Sequence, residues 1–460
     1  MKEVKRFPFP WAFVALTVVV GLVSACNHTG PRLAIAMGDS FISGEGAENF
    51  ISGDGAADYA STPPSDIFVA ENQTDPYFCH KSQNASIYAA NLPGIDEVHN
   101  LACSGAEPED LSRPNPDFRV VTGGLATFNV APQLDQLWNT ISGKTVKVIK
   151  VSLGANNSVN NFSGILAYCH MAFMIDAAGG LAASFGRSTA RKFVDDAAAD
   201  GVFFPDPDET IKNKACDPNA FYTEEQRNII STAYADGLKR LIVGMRLRGY
   251  APGEWKLVLQ GYGTPFAPIP NQFLLAEGRD EERDNRFARL ARARYAAGCP
   301  LHIGTMEIGD DLAAVLTSIV RDAATQTRDE FPAEKIIFLD VAYAFDGKRL
   351  CEEANSPAGA FFNPIWFRDP TNNNEIAREI PQNRAAPMLV QWEELATSCK
   401  SGDNEVFARC QDAGHPNEAG HAALGACLRE AVGRADTPGV SSDMACSRNS
   451  ANGVITVGDL

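Results

Sequence analysis

The stretch Leu33-Ala34-Ile35-Ala36-Met37-Gly38-Asp39-Ser40-Phe41-Ile42-Ser43-Gly44-Glu45-Gly46 decides how the rest of the chain reads. Its first five residues are a short apolar run closed by a glycine, the pattern of a buried strand. Ser40 follows at once, with Gly44 and Gly46 free to take tight or positive-φ turns. A serine just beyond a buried strand can present its hydroxyl in the crevice where open parallel sheets bind ligands. Alone, Gly-Asp-Ser is also what an ordinary turn contains. The reading becomes chemical only if other strand ends supply a base and hydrogen-bond donors.

Working outward, residues 48–75 are rich in Gly, Asn, Asp, Ser and Pro and read as a surface loop. A short helix is predicted over 82–91 and a strand over 98–102, leading into Cys103-Ser104-Gly105-Ala106. A helix over 131–139 precedes the clearest strand, Thr145-Val146-Lys147-Val148-Ile149-Lys150-Val151-Ser152-Leu153, which ends at Gly154-Ala155-Asn156-Asn157. Thr223-Glu224-Glu225-Gln226 is a capping-box pattern, and Ile230, Tyr234, Leu238, Leu241 and Met245 continue it as a helical stripe. A strand over 255–260 reaches Gly261-Tyr262-Gly263, a helix carries Leu312 to Ala323, and a strand over 335–341 reaches Phe345-Asp346-Gly347. The Arg-rich stretch 279–294 reads as a solvated helix face. A last helix runs from Ala422 to about Gly433, with Pro416 expected in its first turn. Alternating strands and helices imply a parallel sheet covered on both faces.

A serine nucleophile at that sheet edge needs a base. Of seven histidines, His415 stands out because Asp412 precedes it by three and could orient its ring, whereas His421 falls inside the predicted helix and reads as a packing residue or one that supports the site from behind. Gly105 and Asn156 lie at the carboxyl ends of other strands, the first as a turn glycine and the second as a cap or turn residue. Each of these residues singly is a common turn, cap or surface residue.

As an ordered set, Gly38-Asp39-Ser40, Gly105 within Ala102–Ala106, Gly154-x-Asn156 and Asp412-x-x-His415-Pro416-Asn417 resemble the four blocks of the SGNH (GDSL-type) hydrolase superfamily. Ser43-Gly44-Glu45-Gly46, the Cys79 and Cys103 pair, and the segment from Asp340-Val341 through Phe345-x-Gly347 to Leu350-Cys351 resemble its secreted actinobacterial lipase and esterase branch. The chain departs from the pattern at Asn157, where Asp is common, and at Lys348, where the branch often carries His. The resemblance implies a flavodoxin-like three-layer α/β/α fold with no metal or organic cofactor. It also implies Ser40 as nucleophile, His415 as base, Asp412 as its orienter, and the Ser40 and Gly105 N–H groups with the Asn156 amide as the oxyanion hole. The implied substrate is a carboxylic ester of an acyl lipid or an acylated carbohydrate. A non-catalytic envelope lipoprotein that uses the fold as a ligand-binding module is the alternative.

The address reads from the first 31 residues. Lys2, Lys5 and Arg6 precede an apolar run from Trp11 to Val20, the form of a secretory signal. Leu22-Val23-Ser24-Ala25-Cys26 resembles a bacterial lipobox with Cys26 as the lipidated residue; cleavage near Ala25 without lipidation, or an uncleaved anchor, are the other readings. The expected organisation is a signal peptide over 1–25, a lipidated linker over 26–31, a hydrolase domain over 32–436 and a tail over 437–460. Irregular insertions interrupt the domain at about 160–222 and 352–410. The expected location is the bacterial cell envelope, held to a membrane by the lipid.

Eleven cysteines, ten of them after Cys26, suit an exported chain with disulfides. Spacing does not fix their pairing; Cys79 with Cys103 and Cys169 with Cys216 are the sequence-local candidates. No Cys-x-x-Cys occurs, which argues against a structural zinc site. A net charge of −17 argues against a nucleic-acid backbone or an anionic lipid surface as main partner. Oligomeric state is not legible.

Overall fold

The protein is described from a computed structural model, covering residues 28–47, 49, 79, 81–121, 125–156, 162, 165, 169, 217–266, 303–349 and 415–460. The signal and lipobox, Asp412, Cys216, the Arg-rich stretch 279–294 and the insertion 352–410 lie outside the described residues.

A mainly parallel sheet carries the fold. Its strands are β1 (Arg32–Gly38), β2 (Glu97–Asn100), β5 (Thr145–Ser152), β6 (Lys256–Gln260), β7 (Lys335–Tyr343), β8 (Asp443–Arg448) and β9 (Ile455–Asp459). The spatial order is β2-β1-β5-β6-β7-β8-β9, parallel throughout except that β9 runs antiparallel to β8. A separate antiparallel hairpin pairs β3 (Asn115–Val121) with β4 (Leu125–Val130). Every residue of β1 after Arg32 is buried, so the sheet is covered on both faces, as its unbroken apolar run requires.

The covering helices fall into two groups. On one side, α5 (Glu224–Leu247) packs on α6 (Ile303–Glu330), on α3 (Gln133–Thr140) and on a 3-10 turn over Pro108–Leu111. Gly244 gives the room for this, since a Cβ there would lie 2.5 Å from the Trp138 ring. On the other side, α7 (Glu418–Arg434) crosses α2 (Ser86–Ala89), and a Cβ on Gly425 would lie 2.7 Å from the Ala89–Ala90 backbone. Shorter helices α1 (Ser40–Ser43) and α4 (Pro218–Phe221) complete the set among the described residues.

Local chemistry explains where the helices begin. The Thr223 hydroxyl accepts from Gln226 N–H and the Gln226 side chain accepts from Thr223 N–H, the capping box read from sequence. For α7 the cap is Asn417, which accepts from Gly420 N–H; Pro416 therefore sits one residue before the cap rather than in the first turn. The helix expected over 82–91 is a single turn, α2, preceded by a turn in which Asn84 N–H bonds back to the Ser82 hydroxyl.

Residues 437–460 are not a free tail, because β8 and β9 extend the sheet and a disulfide joins Cys446 of β8 to Cys427 of α7. Of the stretch read as an insertion at about 160–222, Ile165, Cys169, Phe221 and Tyr222 are buried in the core. Among the described residues no helix is long and apolar enough to cross a membrane.

Candidate active site

The loops leaving β2, β1 and β5 lie side by side, because these strands are neighbours and parallel. They carry Gly105, Ser40 and Asn156 respectively. The turn after β1 is held by every element around it. Gln133 of α3 grips Gly38 from both sides, accepting from its N–H at 2.7 Å and donating to its carbonyl at 2.8 Å. Cys103 N–H also donates to Gly38 O, and Asp39 N–H donates to Ser152 O at the end of β5. Gly38 has φ +139°, and a Cβ there would lie 2.2 Å from Ser152 O, so no other residue fits.

Asp39 caps α1, accepting from Phe41 N–H, and its other oxygen accepts from the Tyr262 hydroxyl at 2.5 Å. It is fully buried, and desolvation lifts its carboxyl to about pH 7 against the pull of those hydrogen bonds. Its donors are thus structural, and both its oxygens are engaged away from the serine hydroxyl.

Ser40, half-buried, points its Oγ to His415 Nε2 at 2.8 Å. The two residues come from opposite ends of the chain, His415 arriving from the segment just before α7. A hydroxyl at that distance from an imidazole nitrogen can lose its proton to it as it attacks an electrophile. Asp412, the expected orienter, lies outside the described residues.

The Asn156 side-chain nitrogen is buried and has no hydrogen-bond partner among the described residues. A buried amide donor left unpaired is costly, and a site that meets its ligand's oxygen there has reason to keep it. Gly105 is exposed and takes φ +77°, a conformation suited to glycine. Its loop is fixed by the Cys79–Cys103 disulfide and by Ser104, whose hydroxyl bonds the Glu45 carboxylate and lies 3.3 Å from the Ser43 hydroxyl. Asn100 completes this layer, donating to Ser43 O.

No protein-family model matches the sequence, and none of the curated proteins does. Among solved structures, the chain is similar to phospholipase A1 from Streptomyces albidoflavus NA297, with 15% identity over 87% of this chain and 98% of that one, and a TM-score of 0.38. It is also similar to a carbohydrate esterase family 2 enzyme with a carbohydrate binding domain from Corynascus thermopiles (Myceliophthora fergusii). There the identity is 12% over 88% of this chain and 67% of that one, with a TM-score of 0.31. Neither likeness is close enough to transfer chemistry, so the functional reading rests on the geometry of the site.

His421 is fully buried in α7, and desolvation together with the nearby Lys150 holds its ring neutral, at about pH 3. It is a packing residue. Lys150 itself is a fully buried amine in β5, donating to the Ser86 hydroxyl at 2.5 Å. Burial brings it down to about pH 7. Gln133 and Tyr262 carry no distinguishing signal in the sequence, whereas Glu45 falls in the Ser43–Gly46 stretch that carries the resemblance and Lys150 is a lysine inside a largely β-branched strand. Cys169 is disulfide-bonded, while its sequence-local candidate Cys216 is outside the described residues. Among the described residues no group of His, Cys, Asp and Glu could hold a metal ion.

Proposed function

We propose that the protein is a serine ester hydrolase of the SGNH type. The observation that carries this is the 2.8 Å approach of Ser40 Oγ and His415 Nε2 at the carboxyl edge of the sheet. Counted along the chain, the first five strands of the sheet lie in the order 2-1-3-4-5, as in flavodoxin-like doubly wound folds, which bind ligands at that edge. Supporting it are the unpaired Asn156 amide and the braced Gly105 loop on the flanking strand ends.

In this mechanism Ser40 Oγ attacks the ester carbonyl carbon while His415 Nε2 takes its proton. The carbonyl oxygen becomes an oxyanion held by the Ser40 and Gly105 N–H groups and the Asn156 amide. The intermediate collapses by breaking the bond to the alcohol oxygen, which leaves with the proton from His415, and Ser40 keeps the acyl group. Water then attacks that acyl-enzyme with His415 again as base, releasing the acid and restoring the serine hydroxyl. Asp412 is assigned to orient His415 through its other ring nitrogen. Acyl lipids and acylated carbohydrates are the proposed substrate classes.

The chain's N-terminus is proposed as a signal over 1–25 followed by a lipidated Cys26, with the hydrolase unit beginning at residue 32. Cys26→Ser should then move the protein from membrane to soluble fractions on expression in a bacterial host. The catalytic reading is tested by a panel of p-nitrophenyl acyl esters of graded chain length beside acetylated sugars. Hydrolysis by the wild-type chain, lost in Ser40→Ala, supports it; no hydrolysis of any ester by the folded protein contradicts it.

A further inference from the structure

Tyr262 lies just past the end of β6, buried, and its hydroxyl is used twice. It donates to Asp39 Oδ2 at 2.5 Å and accepts from the Ala155 N–H at 3.0 Å. Asp39 is the residue before Ser40, and Ala155 is the residue before Asn156. One oxygen atom thus joins the turn that carries the proposed nucleophile to the loop that carries the proposed oxyanion amide. The β1–β5 ladder ends at Gly38 and Ser152, with Asp39 N–H to Ser152 O as its last link. Beyond that link, the two loops are spanned by this phenol.

The phenol is itself fixed from behind. Tyr262 N–H donates to the Thr317 hydroxyl of α6 at 2.9 Å, and that hydroxyl lies 3.2 Å from Tyr262 O. Gly261 is pressed so closely on Thr317 that a Cβ would lie 2.7 Å from its methyl group. The Phe41 ring meets the Tyr262 ring at 5.3 Å between centroids. A side chain so constrained transmits the position of α6 to both loops, rather than adapting to them.

From this geometry we infer that Tyr262 is a positioning residue that sets the distance between the Ser40 hydroxyl and the Asn156 amide. The inference rests on the ester-hydrolase reading. Attack and oxyanion capture must occur on one carbonyl group, and misplacing a reacting group by about 1 Å can cost a hundredfold in rate. The phenol does not touch the substrate in this account. Its effect should therefore fall on turnover while substrate affinity stays in place.

The test is Tyr262→Phe beside Tyr250→Phe. Tyr250 is likewise a buried tyrosine with a hydrogen-bonded hydroxyl, which donates to Lys144 O at 2.7 Å, but it lies past the amino ends of the strands. Kinetics are measured on a p-nitrophenyl ester, per active site titrated with a fluorophosphonate. Tyr262→Phe should lower kcat about tenfold to a hundredfold, with KM held within about twofold, while Tyr250→Phe keeps the wild-type kcat. Thr317→Val loosens the same tyrosine without removing its hydroxyl, and should lower kcat in the same direction but less. Wild-type kcat in folded Tyr262→Phe overturns the inference and leaves the hydrolase reading intact. If Tyr262→Phe does not fold, wild-type kcat in Thr317→Val overturns it instead. A wild-type chain that neither hydrolyses the ester nor reacts with the fluorophosphonate removes both together.

Discussion

Ser40 Oγ and His415 Nε2 stand 2.8 Å apart although 375 positions separate them in the chain. The serine is delivered by a strand-to-turn junction clamped by Gln133, and the histidine by the segment capped at Asn417. In the proposed mechanism the imidazole carries the proton in both halves of the reaction. His415→Ala should therefore lower kcat/KM towards p-nitrophenyl esters by about a thousandfold or more. His421→Ala should leave a substantial part of the activity in the folded protein, since that ring is buried in α7 and is held neutral. Parallel assays of the two variants, with a melting curve for each, check this.

Asn156→Ala removes a buried amide donor that has no hydrogen-bond partner among the described residues. If that amide holds the oxyanion, kcat falls about a hundredfold to a thousandfold and KM changes little, because the bond forms chiefly in the transition state. Steady-state kinetics decide. A variant with raised KM and unchanged kcat would mean that Asn156 binds substrate rather than the developing charge.

Two of the disulfides, Cys79–Cys103 and Cys427–Cys446, should separate stability from activity. Cys79–Cys103 closes 24 positions and Cys427–Cys446 closes 19, so loop entropy gives each about 3 kcal/mol. Replacing either pair by alanine should lower the denaturation midpoint by similar amounts. Only loss of Cys79–Cys103 should also lower kcat in the folded protein, because Cys103 is two residues from Gly105 and donates to Gly38 O. Denaturant titration and kinetics on the two double variants read the difference.

Lys150 gives a pH prediction with a definite sign. Its folded value of about 7 lies below the ordinary 10.5, so between those two values the unfolded chain holds a proton that the folded chain does not. Stability from this group is fully present above 10.5 and is lost as pH falls through about 7. Lys150→Met removes that dependence. The variant should gain stability over wild type at about pH 6.5, and the gain should shrink towards about pH 9.5. Urea denaturation of both proteins at the two pH values measures it; a gain that is constant with pH contradicts the assignment.

How much of this was legible follows the range of the forces involved. The run Leu33–Met37, the β-branched strand at Thr145 and the Thr223 capping box are local patterns, and each element appears where its pattern stands. β8 was hidden because it is short and polar, with only Met444 and Cys446 buried; it is held by the sheet edge and by the bond to Cys427. Tyr262 was visible only as a turn residue, since both partners of its hydroxyl are over a hundred positions away. Ser40, His415, Gly105 and Asn156, the proposed nucleophile, base and donors, could be singled out because together they form an ordered set of motifs that resembles one family. Gln133 and Glu45 serve that set through hydrogen bonds to its neighbours, and no residue type marks such a role.

The proposed nucleophile is tested most directly by covalent capture. A fluorophosphonate reacts with an activated serine by forming an O–P bond as fluoride leaves, with no dependence on the substrate's acyl chain or sugar. Intact-mass and peptide mass spectrometry of the treated protein should show one adduct, located on Ser40 and missing from Ser40→Ala. An adduct on another residue, or equal labelling of the wild-type and Ser40→Ala chains, would contradict the account.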